Sequence, residues 1–433
     1  MNVLWIVDDD HPPYMMEPMP FTRKYIRDVG INFEEGHADI PLCGPARVSL
    51  LTGMSVNTHQ VNVNATWDMF LASPLDLNNR TIATFLKAAE YNTGHFGKYI
   101  NGHAKDQSVP PSWDRWVETI GDGKEEPWVN LDGEILALDA NPSIFAAQEC
   151  AAFISQLAGQ NWFAHYCPTI PHRPYEPSTD YEHYYDGDRR DVPSTNEDNT
   201  GGKPNWMRQL PAITGHQSEF EGKKEELRDL DQKAIKHIYQ TLEQTGQLEN
   251  TVIIYVSDNG YHHAEHRLMR KDRPYWESVQ VPFFVKGPTH MPGGITPPAF
   301  VNHTDLFPTT LELAGVEIPP QADGRSLVPF LTPGASFTWR QRMLASGSAA
   351  SGPEPNPGGA KEPSGNWWLL REGVRALILR ENGHRELYWM ESDPYQMSSK
   401  AESADQAMVQ RMVHYAVAIR NASGDERRRL EEE

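Results

Sequence analysis

Two strongly apolar segments, far apart in the chain, each run directly into polar side chains. Residues 3–7 lead into three aspartates at 8–10, and residues 251–256 lead, through a serine, into Asp258 and Asn259. Continuous apolar runs of this length are typical of parallel strands buried on both faces. Ligand sites in such sheets lie at the carboxyl ends of the strands. The sequence therefore predicts an α/β fold with a site at this edge of the sheet.

The carboxylates at these strand ends predict a bound cation. Three adjacent aspartates repel one another strongly unless a positive charge neutralises them, although residues 8–10 alone could also form a solvated acidic turn. Hard oxygen ligands favour Ca²⁺ or Mg²⁺. His262, Glu265 and His266, just beyond the second strand, would suit zinc. Because the ligands they would join are carboxylates, the pattern favours the harder cations.

A different motif spans residues 43–53, which read CGPARVSLLTG and fit the pattern C-x-P-x-R-x-x-x-L-T-G at every specified position. Pro45 favours the first turn of a helix, and Gly53 favours its end. Cys43 would then lie at the helix N-terminus, where unpaired N–H groups attract an anion, and Arg47 could bind that anion bidentately. A buried structural cysteine is the usual alternative, but the complete pattern argues against it.

This motif resembles the signature of the type I sulfatases, in which the cysteine is oxidised to Cα-formylglycine and the aldehyde hydrate is the nucleophile. The resemblance implies that Cys43 is converted by a separate formylglycine-generating enzyme. Residues 93–99, TGHFGKY, resemble the second signature and imply that Lys98 binds the sulfate group. Many members have a histidine two residues after that lysine. Here Ile100 occupies its place, and Asn101 becomes the candidate for the contact with the formylglycine hydroxyl.

Two later segments complete the resemblance. Residues 168–174, PTIPHRP, imply that His172 faces the leaving-group oxygen, and Lys271 corresponds to the lysine that contacts the ester sulfate. The implied cation is Ca²⁺, with Mg²⁺ as the alternative. Its implied ligands are Asp9, Asp10, Cys43 as the modified residue, Asp258 and Asn259.

The implied fold is the alkaline-phosphatase-like α/β sandwich, with a large mixed central sheet and a small C-terminal antiparallel subdomain. We divide the chain into a catalytic domain at 1–345, a Gly/Ser/Pro-rich linker or mobile loop at 346–366, and a C-terminal subdomain with a closing helix at 367–433. A long polar segment at 176–222 is expected to be an irregular loop that carries substrate specificity. The charged tail at 425–433 is expected to fray.

Charge and cysteine content narrow the possible partners. The 433 residues carry a formal net charge of −20, which argues against nucleic acid or an anionic membrane as a partner. Three cysteines do not make a disulfide framework. The chain shows neither a signal peptide nor an apolar segment long enough to cross a membrane, so a cytoplasmic location is expected, although a secreted mature form would look the same.

The implied reaction is hydrolysis of an aryl or carbohydrate sulfate monoester. Arg47, Lys98 and Lys271 would neutralise charge on the sulfuryl group, and His172 would protonate the departing alcohol. Two alternatives stay open. One is a phosphodiesterase or phosphonate monoester hydrolase on the same fold, and the other is a catalytically silent protein that binds sulfated glycans.

Overall fold

The computed structural model of the chain describes residues 1–120, 127–198, 202–348 and 365–433. Its centre is a large sheet whose five inner strands run parallel, with antiparallel strands at both edges. The predicted mixed central sheet is therefore confirmed. The described residues form nine strands of this sheet, which in spatial order are Ile31–Asn32, Phe283–Lys286, Thr251–Ser257, Asn2–Asp8, Trp162–Cys167, Asn92–Gly97, Arg115–Ile120, Trp128–Leu131 and Glu134–Ala137.

Helices cover both faces of this sheet, because successive strand residues point to opposite sides and both sides are apolar. Val3 and Trp5 pack under one helical layer, while Leu4 and Ile6 pack under the other. The first layer holds Cys43–Thr52, Ile82–Ala88 and Leu306–Ala314, and the second holds Pro142–Gln156, His216–Asp229 and Lys236–Gln244. Shorter helices are Pro20–Thr22, Val56–His59, Thr66–Leu71, Trp276–Val279 and Val328–Leu331. Within the described ranges, none of the helices has the length and apolarity to span a bilayer.

The small antiparallel sheet predicted near the C-terminus is also present. Its strands are Arg342–Ser348, Asn366–Glu372, Arg375–Arg380 and Arg385–Trp389. The helix Gln406–Asn421 packs on one face, and the other face lies against the catalytic domain around Leu268 and Tyr275.

The start of this sheet differs from the predicted domain boundary. Strand Arg342–Ser348 pairs along its whole length with the next strand of the small sheet, so the boundary placed after residue 345 falls inside a strand. Small residues such as Ser346 and Gly347 resemble a linker in sequence, yet they pair in the sheet because the neighbouring strand supplies their hydrogen-bond partners. Most of the predicted linker, residues 349–364, lies outside the described part of the chain.

Two further expectations differ from the structure. The loop predicted to reach residue 222 ends earlier, because the helix His216–Asp229 begins at His216. The tail predicted to fray forms the helix Gly424–Glu432. Its Arg427 is buried, pairs with Glu431 at 3.2 Å and donates to Ser55 Oγ at 3.0 Å. These tertiary partners hold the tail in place.

Candidate active site

The carboxyl ends of two neighbouring strands bring the predicted oxygen ligands together. Strands Asn2–Asp8 and Thr251–Ser257 are parallel partners that stay in register to their last residues. Just beyond them, the Asp10 N–H donates to Asp258 Oδ1 at 3.1 Å, and Asn259 Nδ2 donates to Asp10 Oδ1 at 2.7 Å. These side chains are buried, so the sheet edge encloses a compact group of acidic and amide oxygens.

The predicted nucleophile lies directly against these carboxylates. Cys43 is the first residue of the helix Cys43–Thr52, which ends at Gly53 in the left-handed conformation with φ +68°. Its Sγ lies 3.4 Å from Asp9 Oδ1 and 4.0 Å from Asp10 Oδ1. Burial and the nearby Asp9 raise the pKa of the Cys43 thiol to about 12. The unmodified cysteine is therefore a neutral thiol and a poor nucleophile.

Two lysines face the same carboxylates. The Lys98 ammonium contacts Asp9, and the Lys271 ammonium contacts both Asp10 and the Cys43 sulfur. Burial alone would raise the pKa of Asp9, but these cations, led by Lys98, hold it well below its usual range. Burial would likewise raise the pKa of Asp10, but Lys271 and His172 together hold it at about 2. Both aspartates are therefore ionised at neutral pH.

The arginine of the first motif is fully engaged with protein groups. Arg47 Nε and Nη2 donate to Asp258 Oδ2 at 3.0 and 2.8 Å, and Nη1 donates to the Lys98 carbonyl at 2.8 Å. The residue is only 1% exposed. Its donors therefore point at Asp258, an expected cation ligand, and at the backbone carbonyl of Lys98. Direct contact between Arg47 and the sulfuryl group stays a prediction.

Of the two remaining predicted residues, His172 lies beside the cluster around Cys43, whereas the contacts of Asn101 lie elsewhere. His172 Nε2 lies 3.9 Å from Asp10 Oδ2, while its Nδ1 donates to the Arg173 carbonyl at 2.7 Å. Burial lowers the pKa of His172 against the opposing effect of the aspartates. Asn101 instead contacts Trp67, whose backbone N–H donates to the Asn101 carbonyl at 3.1 Å. Among the described contacts of Asn101, none reaches the cluster around Cys43.

The oxygen-rich cluster fits a hard divalent cation. Ligand atoms of Asp9, Asp10, Cys43 and Asp258 all lie within 4.8 Å of one another. Asn259 Oδ1 is buried without a hydrogen-bond partner among the described residues. A buried amide oxygen without a hydrogen-bond partner, beside three carboxylates, has the chemistry of a ligand for a hard cation.

The histidines considered for zinc lie in another cluster. His262 Nδ1 donates to the Arg270 carbonyl at 3.0 Å, and His266 Nδ1 donates to Glu197 at 2.9 Å. The other ring nitrogens of both histidines lie 3.9 and 3.8 Å from Glu277 Oε2. Within the described ranges, neither histidine joins a group of ligand atoms with the aspartates.

A second buried group with metal-ligand chemistry is internally satisfied. His95 and His165 face each other across neighbouring strands, with their Nδ1 atoms 3.1 Å apart. His165 Nε2 lies 2.8 Å from Cys167 Sγ, and His95 Nε2 donates to the Gly97 carbonyl at 3.1 Å. Each ring nitrogen already has a partner, so this chain of hydrogen bonds is a structural element of the core.

One residue of the site was missed by the sequence analysis. Lys223, on the helix His216–Asp229, is buried and donates from Nζ to the Asp10 carbonyl at 2.8 Å. Burial lowers the pKa of Lys223 to about 8. The sequence could have indicated that Lys223 is buried, because its spacing places it on the same face of the helix as the buried Phe220 and Leu227.

Comparison with known proteins agrees with this geometry. A family model described as Sulfatase matches residues 8–316. The chain is 31% identical over 357 residues to an extracellular sulfatase SULF-1 homolog of Drosophila melanogaster, an alignment covering 76% of this chain and 31% of that protein. It is 27% identical over 371 residues to human N-acetylglucosamine-6-sulfatase, covering 79% of this chain and 66% of that protein. The chain thus spans about a third of the fly relative's length.

Solved structures share the fold. A protein solved in complex with its substrate, D-glucosamine-2-N,6-O-disulfate, matches with a TM-score of 0.80 at 21% identity and covers 95% of this chain and 96% of that one. A phosphonate monoester hydrolase from Silicibacter pomeroyi matches with a TM-score of 0.76 at 21% identity, covering 98% and 96%. These matches confirm the predicted alkaline-phosphatase-like fold. Because the family model matches most of the chain, from residue 8 to residue 316, this chain belongs to the sulfatase family.

Proposed function

We propose that this protein hydrolyses a sulfate monoester carried by a carbohydrate, with 6-O-sulfated glucosamine as the first substrate class to test. The observation that carries the proposal is the contact of Cys43 with both Asp9 and Lys271 inside one buried cluster. The choice of sugar is supported by relatives described as N-acetylglucosamine-6-sulfatases and by the substrate bound in a solved neighbour.

The residues that would hold a cation are Asp9, Asp10, Asp258 and Asn259, together with the group at position 43, because their ligand atoms lie close together. A Ca²⁺ or Mg²⁺ ion held there would supply a Lewis acid that polarises the sulfuryl oxygens. Ca²⁺ is the better fit, because it accepts a larger and less regular set of oxygen ligands than Mg²⁺.

The group at position 43 would be Cα-formylglycine. Its hydrate would supply two hydroxyls on one carbon, one to attack sulfur and one whose proton loss releases the sulfate. A cysteine or serine side chain offers a single nucleophilic atom and cannot complete the second step. Asp9 Oδ1, 3.4 Å from the present sulfur, is positioned to accept a proton from this group.

Local charge favours an anionic substrate although the protein is acidic overall. Arg47, Lys98 and Lys271 pair with the carboxylates of Asp258, Asp9 and Asp10, and Lys223 donates to the Asp10 carbonyl. These cations offset the charge of the three carboxylates, and a bound divalent cation would add further positive charge. Because these groups are buried, their field is screened less than that of the acidic surface.

Within the reaction, each cation would have a separate task. Lys98 and Lys271 contact the inner carboxylates and would turn toward the sulfuryl oxygens as negative charge develops there. Arg47 would hold Asp258 and the backbone of Lys98 in position. His172 Nε2 lies 3.9 Å from the Asp10 carboxylate and would protonate the departing sugar oxygen. Burial lowers the pKa of His172, and Asp9 and Asp10 oppose that effect.

The deciding experiment measures initial rates in parallel on 4-nitrophenyl sulfate, glucosamine 6-sulfate and a phosphonate monoester, with mass analysis of the peptide containing residue 43. The proposal expects sulfate release from the sugar, loss of activity in Cys43→Ala, and an aldehyde at residue 43. Faster turnover of the phosphonate ester would favour the alternative hydrolase. Tight sugar binding without turnover, despite a verified aldehyde, would indicate a silent binding protein.

A further inference from the structure

A buried lysine reaches the cation-binding turn from outside the strands that form it. Lys223 Nζ donates to the Asp10 carbonyl at 2.8 Å, and the side chain is completely buried. The ammonium lies 3.9 Å from the centre of the Tyr261 ring and 5.7 Å from that of Tyr175. Burying a lysine is costly unless its charge is compensated, so this contact is a specific feature of the site.

The carbonyl that it contacts belongs to an unusual backbone conformation. Asp10 has φ +66°, in the left-handed region that residues with side chains adopt at an energetic cost. The amide side of the turn is held by the neighbouring strand end, because the Asp10 N–H donates to Asp258 and the His11 N–H donates to Ser257 Oγ at 2.9 Å. Lys223 holds the opposite, carbonyl side.

Contacts of the helix His216–Asp229 bring Lys223 close to the Asp10 turn. Gly222 lies so close to Tyr175 that an added Cβ would stand 2.8 Å from the tyrosine Cβ, so a glycine allows the helix to approach. One turn earlier, Glu219 accepts a hydrogen bond from Tyr261 at 3.0 Å. Lys223, Tyr261 and the Asp10 turn are therefore fixed relative to one another.

We propose that Lys223 is a positioning residue for the cation site, which locks the Asp9–Asp10 turn by holding the Asp10 carbonyl. This inference rests on the proposed function, since it assumes that Asp9 and Asp10 bind a divalent cation. Without Lys223, the peptide after Asp10 loses its partner on one side. The two carboxylates then lose the fixed orientation that cation binding requires.

Electrostatics and positioning predict opposite results for removing the ammonium. A lysine near a divalent cation repels it, so removing the charge alone would tighten cation binding. Loss of positioning would weaken binding instead, and removal of a group that orients a metal ligand typically costs on the order of 10–100-fold in affinity. The sign of the change therefore separates the two effects.

The experiment is calorimetric titration of CaCl₂ into protein stripped with EDTA, using Lys223→Met, Lys223→Arg and Lys224→Met. Lys224 is the matched control, because it lies on the same helix but pairs with Glu17 at 2.8 Å and with Asp188. We expect Lys223→Met to weaken Ca²⁺ binding on the order of 10–100-fold. Lys223→Arg, which keeps a donor, should restore most of the affinity, and Lys224→Met should bind as the wild type does.

Three results would overturn the proposal. If the wild type binds Ca²⁺ and Lys223→Met binds it equally well or more tightly, the positioning role of Lys223 is refuted. The proposed cation site is not affected by that result. If Lys223→Met and a further variant, Lys223→Gln, are both unfolded when judged by circular dichroism, Lys223 is required for the fold and the positioning role is refuted. A wild-type protein that binds no divalent cation would overturn both this inference and the proposed cation site.

Discussion

Arg47 and Asp258 form a buried ion pair in which Nε and Nη2 of the arginine both donate to Oδ2 of the aspartate, at 3.0 and 2.8 Å. Asp258 thereby has a fixed orientation before a cation binds. Burial raises the pKa of Asp258 to about 6, although Arg47 acts to lower it. The ion pair therefore stabilises the ionised form of a carboxylate that burial destabilises. The arginine of the first motif thus supports an expected cation ligand.

Breaking this pair from one side should be costly. Arg47→Met leaves the Asp258 carboxylate buried without its partner, and such changes cost about 3–5 kcal/mol of stability. Urea unfolding in EDTA measures this effect without a contribution from bound cation. The double variant Arg47→Met with Asp258→Asn should recover part of the loss, because no uncompensated charge is left. A single variant as stable as the wild type would contradict the inferred pairing.

The cation itself should be required for turnover. EDTA should abolish sulfate-ester hydrolysis, and added Ca²⁺ should restore it and raise the melting temperature, because the ion binds only the folded chain. Asp9→Asn should weaken this response, whereas Asp76→Asn at an exposed position should leave it unchanged. Zinc bound at His262 and His266, with the aspartates empty, would show that the metal assignment is wrong.

The two site lysines should act mainly on the chemical step. If Lys98 and Lys271 stabilise charge that develops in the transition state, removing either side chain should lower kcat on the order of 10²–10³-fold. Lys87→Ala, which removes an exposed ion pair with Asp114, is the control and should keep full activity. Variants that raise only KM would show that the lysines bind substrate and transition state equally.

Cys43→Ser tests the aldehyde chemistry most directly. The variant should fold, because serine is close in size to the cysteine at the first position of the helix. Its hydroxyl could attack sulfur once, but without a second hydroxyl on the same carbon it could not release the sulfate. A burst assay with mass analysis of the residue-43 peptide should therefore show at most one turnover. Sustained turnover would refute the proposed hydrate.

A buried histidine near the nucleophile helix predicts acid sensitivity. His59 Nδ1 accepts the Val61 N–H at 3.0 Å, while Nε2 lies 3.0 Å from Ser49 Oγ. Burial lowers its pKa to about 3 in the folded protein. Below pH ~6.5 the unfolded chain takes up a proton that the folded protein refuses, so stability falls as the pH drops toward 3.

The corresponding measurement is urea unfolding between pH 7 and 4. His59→Asn, whose amide oxygen can still accept the Val61 N–H, should reduce the pH dependence by about one proton per molecule. His414→Asn, at an exposed position, should leave the dependence as in the wild type. Equal slopes for His59→Asn and the wild type would contradict the predicted role of His59.

Much of the architecture was decided by local sequence. The apolar runs before Asp9 and Asp258 predicted two buried strands with oxygen ligands at their carboxyl ends, and the structure shows both strands, paired in register. The C-x-P-x-R motif predicted a helix with Cys43 at its start, which the structure shows. Such patterns are readable because strand and helix periodicity depend on residues close together in the chain.

Tertiary structure decided what the buried charges contact. Nothing local to Lys223 indicates that its ammonium meets a carbonyl 213 positions away. Nothing local to Arg47 indicates that its donors meet Asp258, which lies 211 positions away. The charged tail should fray by composition, yet Arg427 is buried against Ser55. The partners of a long charged side chain are the distant groups that the fold brings within hydrogen-bond distance. Those partners depend on long-range packing, which residues close together in the chain do not determine.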